Sequence, residues 1–225
     1  MSQMPQDISL ADLCQRYLGL YTACIGDVLD DMGYRCQILP HEIQAIGAGM
    51  RIAGPAFTIK GLPDPRMPSA DDSERGLIIV EKIAPLSVLV RDTSGDKSCA
   101  HWGELMSNTV KSRGCQGAVI GGGVRDTAKI QQIGFPVFAM YRTPADMNGR
   151  WRILDGQIPI RIGVTVINPE DFVIGDEDGV VIVPMGVVRE VLVEAEARVQ
   201  KENAIRDELR KGASPVEMRR KYGGF

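Results

Sequence analysis

Apolar residues along this chain occur in two alternating kinds of pattern. The first is a short apolar run rich in β-branched residues, which is typical of a strand buried on both faces. Such runs lie at residues 51–60, 86–91, 117–120 and 136–140. The second has apolar residues three or four positions apart, which predicts helices at residues 74–83, 101–113 and 126–132. The alternation predicts βαβ units with a parallel portion of sheet, and hence an α/β fold.

The N-terminal segment precedes this alternation and has helical character. Ser9 and Asp12 resemble a capping box, with Ser9 as the N-cap of a first helix. A second helix is expected over residues 23–32, because Gly33 is a good left-handed cap. Residues 61–73 contain three prolines and are predicted to form a loop.

In the C-terminal third, the apolar runs become short and are separated by Gly, Asn and Asp. This pattern predicts hairpin strands at residues 159–162, 164–167, 172–174 and 179–183. Residues 186–211 have amphipathic spacing and predict one long helix, with a last helical turn after Ser214. Because no linker or repeat divides the chain, we expect residues 1–225 to form one domain. Its helical ends are residues 1–33 and the C-terminal extension 186–225.

Composition restricts the classes of function. Of the 225 residues, 44% are hydrophobic and 24% are charged, and the net charge of −3 argues against a nucleic-acid-binding protein. No apolar run approaches the ~18 residues of a membrane span, and the start lacks the features of a signal peptide. The five cysteines include no CxxC pair, so we expect a reducing, cytoplasmic setting.

A metal site in this chain should use oxygen ligands. There are only two histidines, His41 and His101, which excludes a three-histidine zinc site. Carboxylates and water suit Mg²⁺ or Mn²⁺ better than zinc or copper.

Residues 121–129 read GGGVRDTAK and follow a predicted strand. Glycine amides there can form an anion-binding nest, and the next helix adds the positive end of its dipole. Arg125 can hold a carboxylate by two hydrogen bonds, and Asp126 can ligate a divalent cation. These groups would hold a 2-oxo acid beside a metal. The alternative is an ordinary strand–turn–helix corner, with Asp126 as N-cap and Arg125 as a surface charge.

A second loop, residues 92–104, also follows a buried strand and precedes a helix. Two such loops open at the same edge of a parallel sheet, where ligands normally bind. The backbone amides of Leu105 and Met106 can then bind a carboxylate or enolate oxygen, and Glu104 can face Arg125 across the pocket.

Several motifs are shared with a known family. The most specific is WGELM at residues 102–106, in which Glu104 is separated by twenty residues from the pair Arg125 and Asp126. Further motifs are IGDVLDDMG at 25–33, AGPAFTI at 53–59 and DEDGVVIVP at 176–184. Together they resemble the RraA-like family, which contains the class II 4-hydroxy-4-methyl-2-oxoglutarate aldolases.

The resemblance implies an architecture and an assembly. It implies an α/β fold of the swivelling β/β/α type with a long C-terminal helix. It also implies a homotrimer, or a homohexamer built as a dimer of trimers, with active sites at subunit interfaces and a need for Mg²⁺ or Mn²⁺.

The resemblance also implies roles for individual residues. Asp126 would be the metal ligand, and Arg125 would bind the pyruvate carboxylate or polarise its keto oxygen. Glu104 would position a catalytic water together with Arg125. Glu202 would reach the metal through water from the adjacent subunit. The substrate-binding segment would comprise Gly103, Glu104, Leu105 and Met106.

Two positions depart from the family pattern. Gly121 stands where the family commonly has Asp, and Glu104 replaces a shorter Asp. Both departures bear on the substrate more than on the binding of metal and oxo acid.

The expected activity is cleavage of a 2-oxo acid to pyruvate through an enolate that a divalent cation and Arg125 stabilise. Retro-aldol cleavage of 4-hydroxy-4-methyl-2-oxoglutarate-like substrates and decarboxylation of oxaloacetate both fit. Three alternatives stay open. They are a Schiff-base aldolase using Lys82, Lys111 or Lys129, a sugar-acid dehydratase or other lyase, and a non-catalytic regulator that binds a ribonuclease.

Other polar residues have two interpretations each. The acidic residues 176–178 are either close to the metal's waters or part of a charged hairpin turn. His101 is either an acid–base group or an ordinary residue at a helix start. Three arginines after the last parallel strand either bind a second substrate carboxylate or cover the sheet: Arg142, Arg150 and Arg152.

Overall fold

The structure of the chain, a computed structural model, describes residues 8–223, without the side chains of residues 72 and 73. The ends of the two predicted helical extensions, residues 1–7 and 224–225, lie outside this range. The helices of the described part are α1 (Leu10–Leu18), α2 (Thr22–Asp31), α3 (Ala70–Glu81), α4 (Glu104–Lys111), α5 (Thr127–Gln132), α6 (Val188–Arg210) and α7 (Pro215–Tyr222). The strands are β1 (Gln44–Ala45), β2 (Ile52–Pro63), β3 (Val88–Asp92), β4 (Ala100–Trp102), β5 (Gly117–Val124), β6 (Val137–Arg142), β7 (Trp151–Gly156), β8 (Ile160–Ile162), β9 (Thr165–Ile167), β10 (Phe172–Asp176) and β11 (Gly179–Val183).

Most of the strands form one mixed sheet with the order β1-β6-β5-β3-β2-β10-β11. The neighbours among β2, β3, β5 and β6 are parallel, which confirms the parallel portion predicted from the alternating pattern. β10 and β11 form an antiparallel hairpin, and β8 and β9 form a second one, as the turn-rich C-terminal pattern predicts.

The sheet curves until its two ends approach each other. An isolated antiparallel bridge joins Ile38, ahead of β1, to Val181 of β11, so the sheet is nearly closed and barrel-like. An apolar cluster that includes Ile52, Val90 and Phe138 fills one side of it. Every residue of β3 and β5 is buried, which explains their continuous apolar runs.

Helices cover the sheet in two groups. α1, α2 and α6 pack against β10 and β11, and the hydroxyl of Tyr17 donates to the carbonyl of Val188 at 2.7 Å. Residues from α3, α4 and α5 pack against the parallel strands. The predicted α/β class with a long C-terminal helix is therefore confirmed. No helix in residues 8–223 combines the length and the hydropathy needed to cross a membrane.

The three glycines of residues 121–123 do not form a loop, so the predicted anion-binding nest is wrong. They lie inside β5 and face close neighbours. A Cβ on Gly122 would lie 2.5 Å from His101 Nδ1, and one on Gly123 would lie 2.4 Å from Tyr141 Cε2. Glycine is needed because no side chain fits between β5 and the groups packed against it.

The start of α4 also differs from the sequence-based expectation. Ala100–Trp102 forms β4 beside β5, and α4 begins only after the N-cap residue Gly103. His101 therefore lies in a strand, where it is 1% exposed, and not at a helix start. The apolar spacing of residues 105–110 led to a predicted helix that begins at residue 101. Pairing with β5 instead keeps residues 100–102 in an extended conformation.

The predicted loop at residues 61–73 is shorter than expected at both ends. β2 continues to Pro63 because β7, which the sequence pattern did not predict, pairs with it antiparallel. A bulge falls between Lys60 and Gly61, where a Cβ on Gly61 would lie 1.9 Å from Trp151 Cζ2. At the other end, α3 begins at Ala70. The bulge and its glycine thus make room for the Trp151 ring.

Candidate active site

A cavity of about 310 Å³ opens at the carboxyl ends of the parallel strands. This is the edge at which ligands bind in α/β sheets. Its outer part, here called the mouth, is formed by Glu104, Arg125, Asp126 and Asp146. Its buried side, here called the inner wall, is formed by Arg91, Trp102 and Trp151. The cavity therefore brings together the two loops that the sequence singles out.

Arg125 and Asp126 lie side by side at the mouth. Arg125 Nε is 3.7 Å from Asp126 Oδ2, and Arg125 Nη1 is 3.1 Å from Asp146 Oδ1. The side chains of Arg125 and Asp126 are each 40% exposed, so a ligand can reach both. Asp146 was missed in the sequence because it lies in the irregular segment after β6, where no motif marks it.

The backbone of Asp126 adopts a left-handed conformation with φ of 58°, which is uncommon for a residue other than glycine. Asp126 is the N-cap of α5, but its side chain makes no capping hydrogen bond. Instead, Asp126 Oδ2 accepts a hydrogen bond of 3.4 Å from the amide of Glu104. The carboxylate is thus turned away from its own helix and toward the start of α4.

Gly103 allows this approach of α4 to Asp126. A Cβ at position 103 would lie 3.0 Å from Asp126 Oδ2 and 3.3 Å from Arg125 Cγ. The first turn of α4 leaves the amides of Leu105 and Met106 without acceptors inside the helix. Both residues line the cavity, as the sequence predicts. Their roles in binding a substrate stay predictions.

Glu104 lines the same cavity but is directed along its own helix. Asn108 Nδ2 donates a hydrogen bond to Glu104 Oε1. A water shared with Arg125, which the family resemblance implies, stays a prediction.

Glu202 lies elsewhere in the chain. It is on α6, where it accepts a hydrogen bond from the hydroxyl of Tyr21 and is 4.0 Å from Arg206 Nη2. Its predicted approach to the metal from an adjacent subunit stays a prediction.

The inner wall holds a buried arginine that the sequence analysis did not single out. Arg91 is 2% exposed, and its guanidinium lies 5.1 Å from the ring centroid of Trp102 and 5.4 Å from that of Trp151. Nη1 donates to the carbonyl of His101, whereas Nε and Nη2 have no hydrogen-bond partner. Burial lowers the pKa of Arg91 to about 10, so the side chain is still charged at neutral pH. The only signal in the sequence is a charged residue at the end of an apolar run.

Next to the inner wall, Asp96, Cys99 and His101 form a group whose ligand atoms lie within 4.8 Å of one another. His101 Nε2 is 2.9 Å from Asp96 Oδ2 and 3.6 Å from Cys99 Sγ. Such spacing fits a metal, but His101 Nδ1 accepts a hydrogen bond of 3.0 Å from the amide of Gly123. In a neutral ring the proton must then be on Nε2, facing Asp96. A metal at Nε2 would require an imidazolate, so the arrangement fits a hydrogen-bonded cluster better.

The titration properties of this cluster agree with a structural role. Burial lowers the pKa of His101 and outweighs the opposing effect of Asp96. Burial raises the pKa of Cys99 to about 11, so its thiol is protonated at neutral pH. For Asp96, burial acts to raise the pKa, but hydrogen bonds from Ser98 and His101 outweigh it and lower the pKa.

Of the three arginines proposed to bind a second carboxylate, only Arg152 lines the cavity. Arg152 Nε lies 2.6 Å from Asp64 Oδ2, so this charge is already compensated. Arg142 donates to the carbonyl of Ile46, and Arg150 donates to that of Asp146.

The acidic residues 176–178 form the turn between β10 and β11. Asp176 accepts hydrogen bonds from the amide and the hydroxyl of Thr22, at 2.8 and 2.6 Å. This carboxylate therefore joins α2 to the hairpin and has a structural role.

Comparison with known proteins identifies the family. The statistical model of the RraA-like family, described as Aldolase/RraA, matches residues 22–182. The chain belongs to the RraA-like family. This RraA-like chain is 29% identical to DlpA of Legionella pneumophila over 214 residues, which are 95% of the chain but only 34% of DlpA. The chain thus spans about a third of the length of that relative.

Two further relatives are similar over most of their own lengths. A candidate 4-hydroxy-4-methyl-2-oxoglutarate aldolase of Halalkalibacterium halodurans is 28% identical over 187 residues, which are 83% of each protein. A solved structure described among novel cellulases from microbes of the gut ecosystem is 34% identical, with a TM-score of 0.84 over 91% of each chain. The predicted RraA-like resemblance and its fold are therefore confirmed.

Proposed function

We propose that this RraA-like chain is a divalent-metal-dependent lyase that cleaves 2-oxo acids to pyruvate. The reaction is retro-aldol cleavage of 4-hydroxy-4-methyl-2-oxoglutarate-like substrates, decarboxylation of oxaloacetate, or both. The observation that carries the proposal is the pair of Arg125 and Asp126, which lie 3.7 Å apart at the cavity mouth and stay 40% exposed. The name of the Halalkalibacterium halodurans relative supports the same chemistry.

Asp126 is the residue that would hold the cation. Its carboxylate makes no capping bond and reaches the cavity. Oxygen ligands of this kind, completed by water, suit Mg²⁺ or Mn²⁺. When bound, the cation supplies Lewis acidity that draws electron density from the keto oxygen of the substrate.

Arg125 and the first turn of α4 bind and orient the oxo acid. Arg125 exchanges Asp146 for the substrate carboxylate, which its planar fork matches with two hydrogen bonds. The amides of Leu105 and Met106 donate to the same end of the substrate. As the carbon–carbon bond breaks, Arg125 also stabilises the negative charge that develops on the keto oxygen.

Glu104 moves the proton in this proposal. In retro-aldol cleavage, it takes the proton of the C4 hydroxyl through a water that it shares with Arg125, while the C3–C4 bond breaks. The same water then returns a proton to C3, which becomes the methyl carbon of pyruvate. Decarboxylation needs only this second proton transfer, after the carboxylate leaves as CO₂.

We also propose that the working form is a homotrimer, or a homohexamer built as a dimer of trimers. Within one chain, Glu202 lies on α6, where it accepts a hydrogen bond from Tyr21, and it does not line the cavity. Contact between subunits is therefore the route by which Glu202 would approach the waters around a cation at Asp126.

A Schiff-base mechanism has less support. Among the described residues that line the cavity there is no lysine, and Lys111 Nζ donates to the carbonyl of Ile133 outside it. Borohydride reduction in the presence of pyruvate should therefore leave the protein unmodified, as mass spectrometry would measure. A reduced lysine adduct would overturn the metal mechanism.

A panel of 2-oxo acids assayed for pyruvate release tests the proposal. We expect release that EDTA abolishes and that added Mg²⁺ or Mn²⁺ restores, and we expect its loss in Asp126→Ala. The control is Asp207→Ala, which removes a carboxylate on α6 whose side chain is 65% exposed. Silence toward every 2-oxo acid with either metal would contradict the lyase, and tight ribonuclease binding by the same protein would favour the regulator.

A further inference from the structure

Arg91 is the most unusual charged group in the cavity. It lies near the end of β3, is 2% exposed, and forms the inner wall together with Trp102 and Trp151. No carboxylate of the described residues lies within the 4.0 Å of an ion pair with it. The next residue, Asp92, is paired with Lys60 at 3.2 Å. A buried cation without an anion is uncommon, because proteins normally pair buried charges.

Two of the three guanidinium nitrogens of Arg91 have no hydrogen-bond partner. Nη1 is occupied by the carbonyl of His101. Nε and Nη2, which lie along one edge of the guanidinium, have no partner. Two parallel N–H groups on one edge match the two oxygens of a carboxylate.

Two indole rings lie beside Arg91, and each is held by a hydrogen bond of its own. Trp102 Nε1 donates to Ser107 Oγ at 2.8 Å, and Trp151 Nε1 donates to the carbonyl of Thr93 at 3.1 Å. Both indoles are thus held in place beside the guanidinium. Their π faces stabilise the cation in part, but they provide no acceptor for its N–H groups.

We propose that Arg91 binds an anionic group at the end of the substrate remote from its 2-oxo acid group, and so determines which 2-oxo acids the site accepts. This assignment rests on the proposed function, which places the 2-oxo acid group at Arg125. The ligand that fits is then a 2-oxo acid with a second carboxylate. Arg91 thus has the role, binding of a second substrate carboxylate, that the sequence suggested for the arginines after β6.

The part of the substrate between its two ends is hydrocarbon apart from the C4 hydroxyl of an aldol substrate, which Glu104 serves at the mouth. Apolar side chains line the cavity around the inner wall: Leu77, Met106, Met147 and Ile153. These side chains contact the hydrocarbon part, whereas the two charged ends of the substrate meet Arg125 and Arg91.

Two probes of equal length test the assignment. 2-Oxoadipate and 2-oxohexanoate have the same number of carbons and differ only in whether the last carbon is a carboxylate or a methyl group. Calorimetric titration with Mg²⁺ present should give wild-type dissociation constants at least about tenfold lower for the dicarboxylate, since paired charge-assisted hydrogen bonds have this strength. In Arg91→Met the two constants should become equal, while pyruvate binds as in the wild type.

Two further variants complete the comparison. Arg91→Lys keeps the charge without the fork and should retain part of the preference. Arg113→Met is the control, because Arg113 lies outside the cavity and pairs with Glu81 at 3.4 Å on the surface. It should leave both constants unchanged.

Thermal unfolding separates binding from a structural role. Removal of a buried, unpaired charge often stabilises a protein. We expect the ligand-free Arg91→Met protein to unfold about 2–4 °C above the wild type, the shift that a gain of roughly 1 kcal/mol gives at this size. A purely structural arginine would instead lower the unfolding temperature.

The outcomes distinguish this assignment from the proposed function. Equal binding of both probes by the wild type, with pyruvate binding intact, overturns the assignment of Arg91 alone. A preference that persists in Arg91→Met does the same. If neither probe nor pyruvate binds to the wild type, the proposed function fails and the assignment fails with it.

Discussion

The mouth and the inner wall of the cavity hold their charges in opposite ways. At the mouth, Arg125 and Asp126 are each 40% exposed, and Arg125 has a nearby partner in Asp146 at 3.1 Å. At the inner wall, Arg91 is 2% exposed and has a carbonyl on one nitrogen and nothing on the other two. The charges at the mouth thus have partners that a ligand can replace, whereas the charge at the inner wall has no anionic partner.

Because of this difference, the charged groups at the mouth are suited to catalysis, and the one at the inner wall is suited to selecting the substrate. A half-exposed ion pair contributes only about 0–1 kcal/mol, so the mouth can exchange Asp146 for a ligand at little cost. A buried charge without a partner costs several kcal/mol, so the inner wall gains most from a bound anion.

The largest effect is expected at the mouth, for Asp126→Asn. The amide keeps the size of the side chain but loses the negative charge that holds a cation. We expect kcat/KM for pyruvate release to fall by at least about 100-fold, because changes even outside the first set of ligands cost 10- to 100-fold. Asp207→Asn on α6 is the control and should keep wild-type activity. Full activity in Asp126→Asn would show that the mouth does not hold the metal.

Beside the inner wall, where β5 packs against His101, the next largest effect is expected for Gly122→Ala. The new Cβ would lie 2.5 Å from His101 Nδ1, so β4 or β5 must shift. We expect the free energy of unfolding to fall by about 1–3 kcal/mol, measured by urea denaturation, as for other overpacked cores.

Gly186→Ala is the matched control, since a Cβ at that position would meet no heavy atom within 4 Å beyond its chain neighbours, and its φ is not positive. It should leave the free energy of unfolding unchanged. Equal stability of the two variants would mean that β5 is not tightly packed against His101.

The parallel strands and the long helix could be predicted because their signals are local. Buried parallel strands need continuous apolar runs, and residues 86–91 and 117–120 have them. The predicted ends of helices and strands are wrong where a contact with residues distant in the sequence determines the conformation. β4 forms because it pairs with β5, and the glycines of residues 121–123 are extended because His101 and Tyr141 pack against them.

The residues of the candidate site likewise fall into those that a local sequence motif marks and those that it does not. Arg125, Asp126 and Glu104 could be found because a motif carries them at fixed spacing. Asp146 and Arg91 could not, since nothing local marks them. Asp146 matters only because Arg125 lies 3.1 Å from it, and Arg91 only because two tryptophans from different elements enclose it.

A smaller effect is expected when Asp146 is changed. Asp146→Asn removes the partner that occupies Arg125 before a ligand arrives. We expect KM for the 2-oxo acid to fall about two- to fivefold with little change in kcat, because an exposed ion pair contributes at most about 1 kcal/mol. Steady-state kinetics beside Asp207→Asn would measure this. A rise in KM would mean that Asp146 helps to bind the substrate or its metal.

An effect of similar size is the pH dependence of stability from His101. Burial lowers the pKa of His101 in the folded state, so the unfolded chain takes up a proton more readily. Stability should therefore fall as the pH drops below the ordinary value of about 6.5, by on the order of 1 kcal/mol down to pH 5.5. Urea denaturation at several pH values measures it. His41→Gln, at a side chain that is 94% exposed, should leave the slope intact, whereas His101→Gln should flatten it.

The most direct test of the central claim is Mn²⁺ binding to the wild type and to Asp126→Asn, followed by water-proton relaxation. A cation held by Asp126 should give a strong relaxation enhancement in the wild type, a decrease when oxalate displaces water from the bound ion, and neither response in Asp126→Asn. Equal responses in the two proteins would place the cation elsewhere and contradict the account.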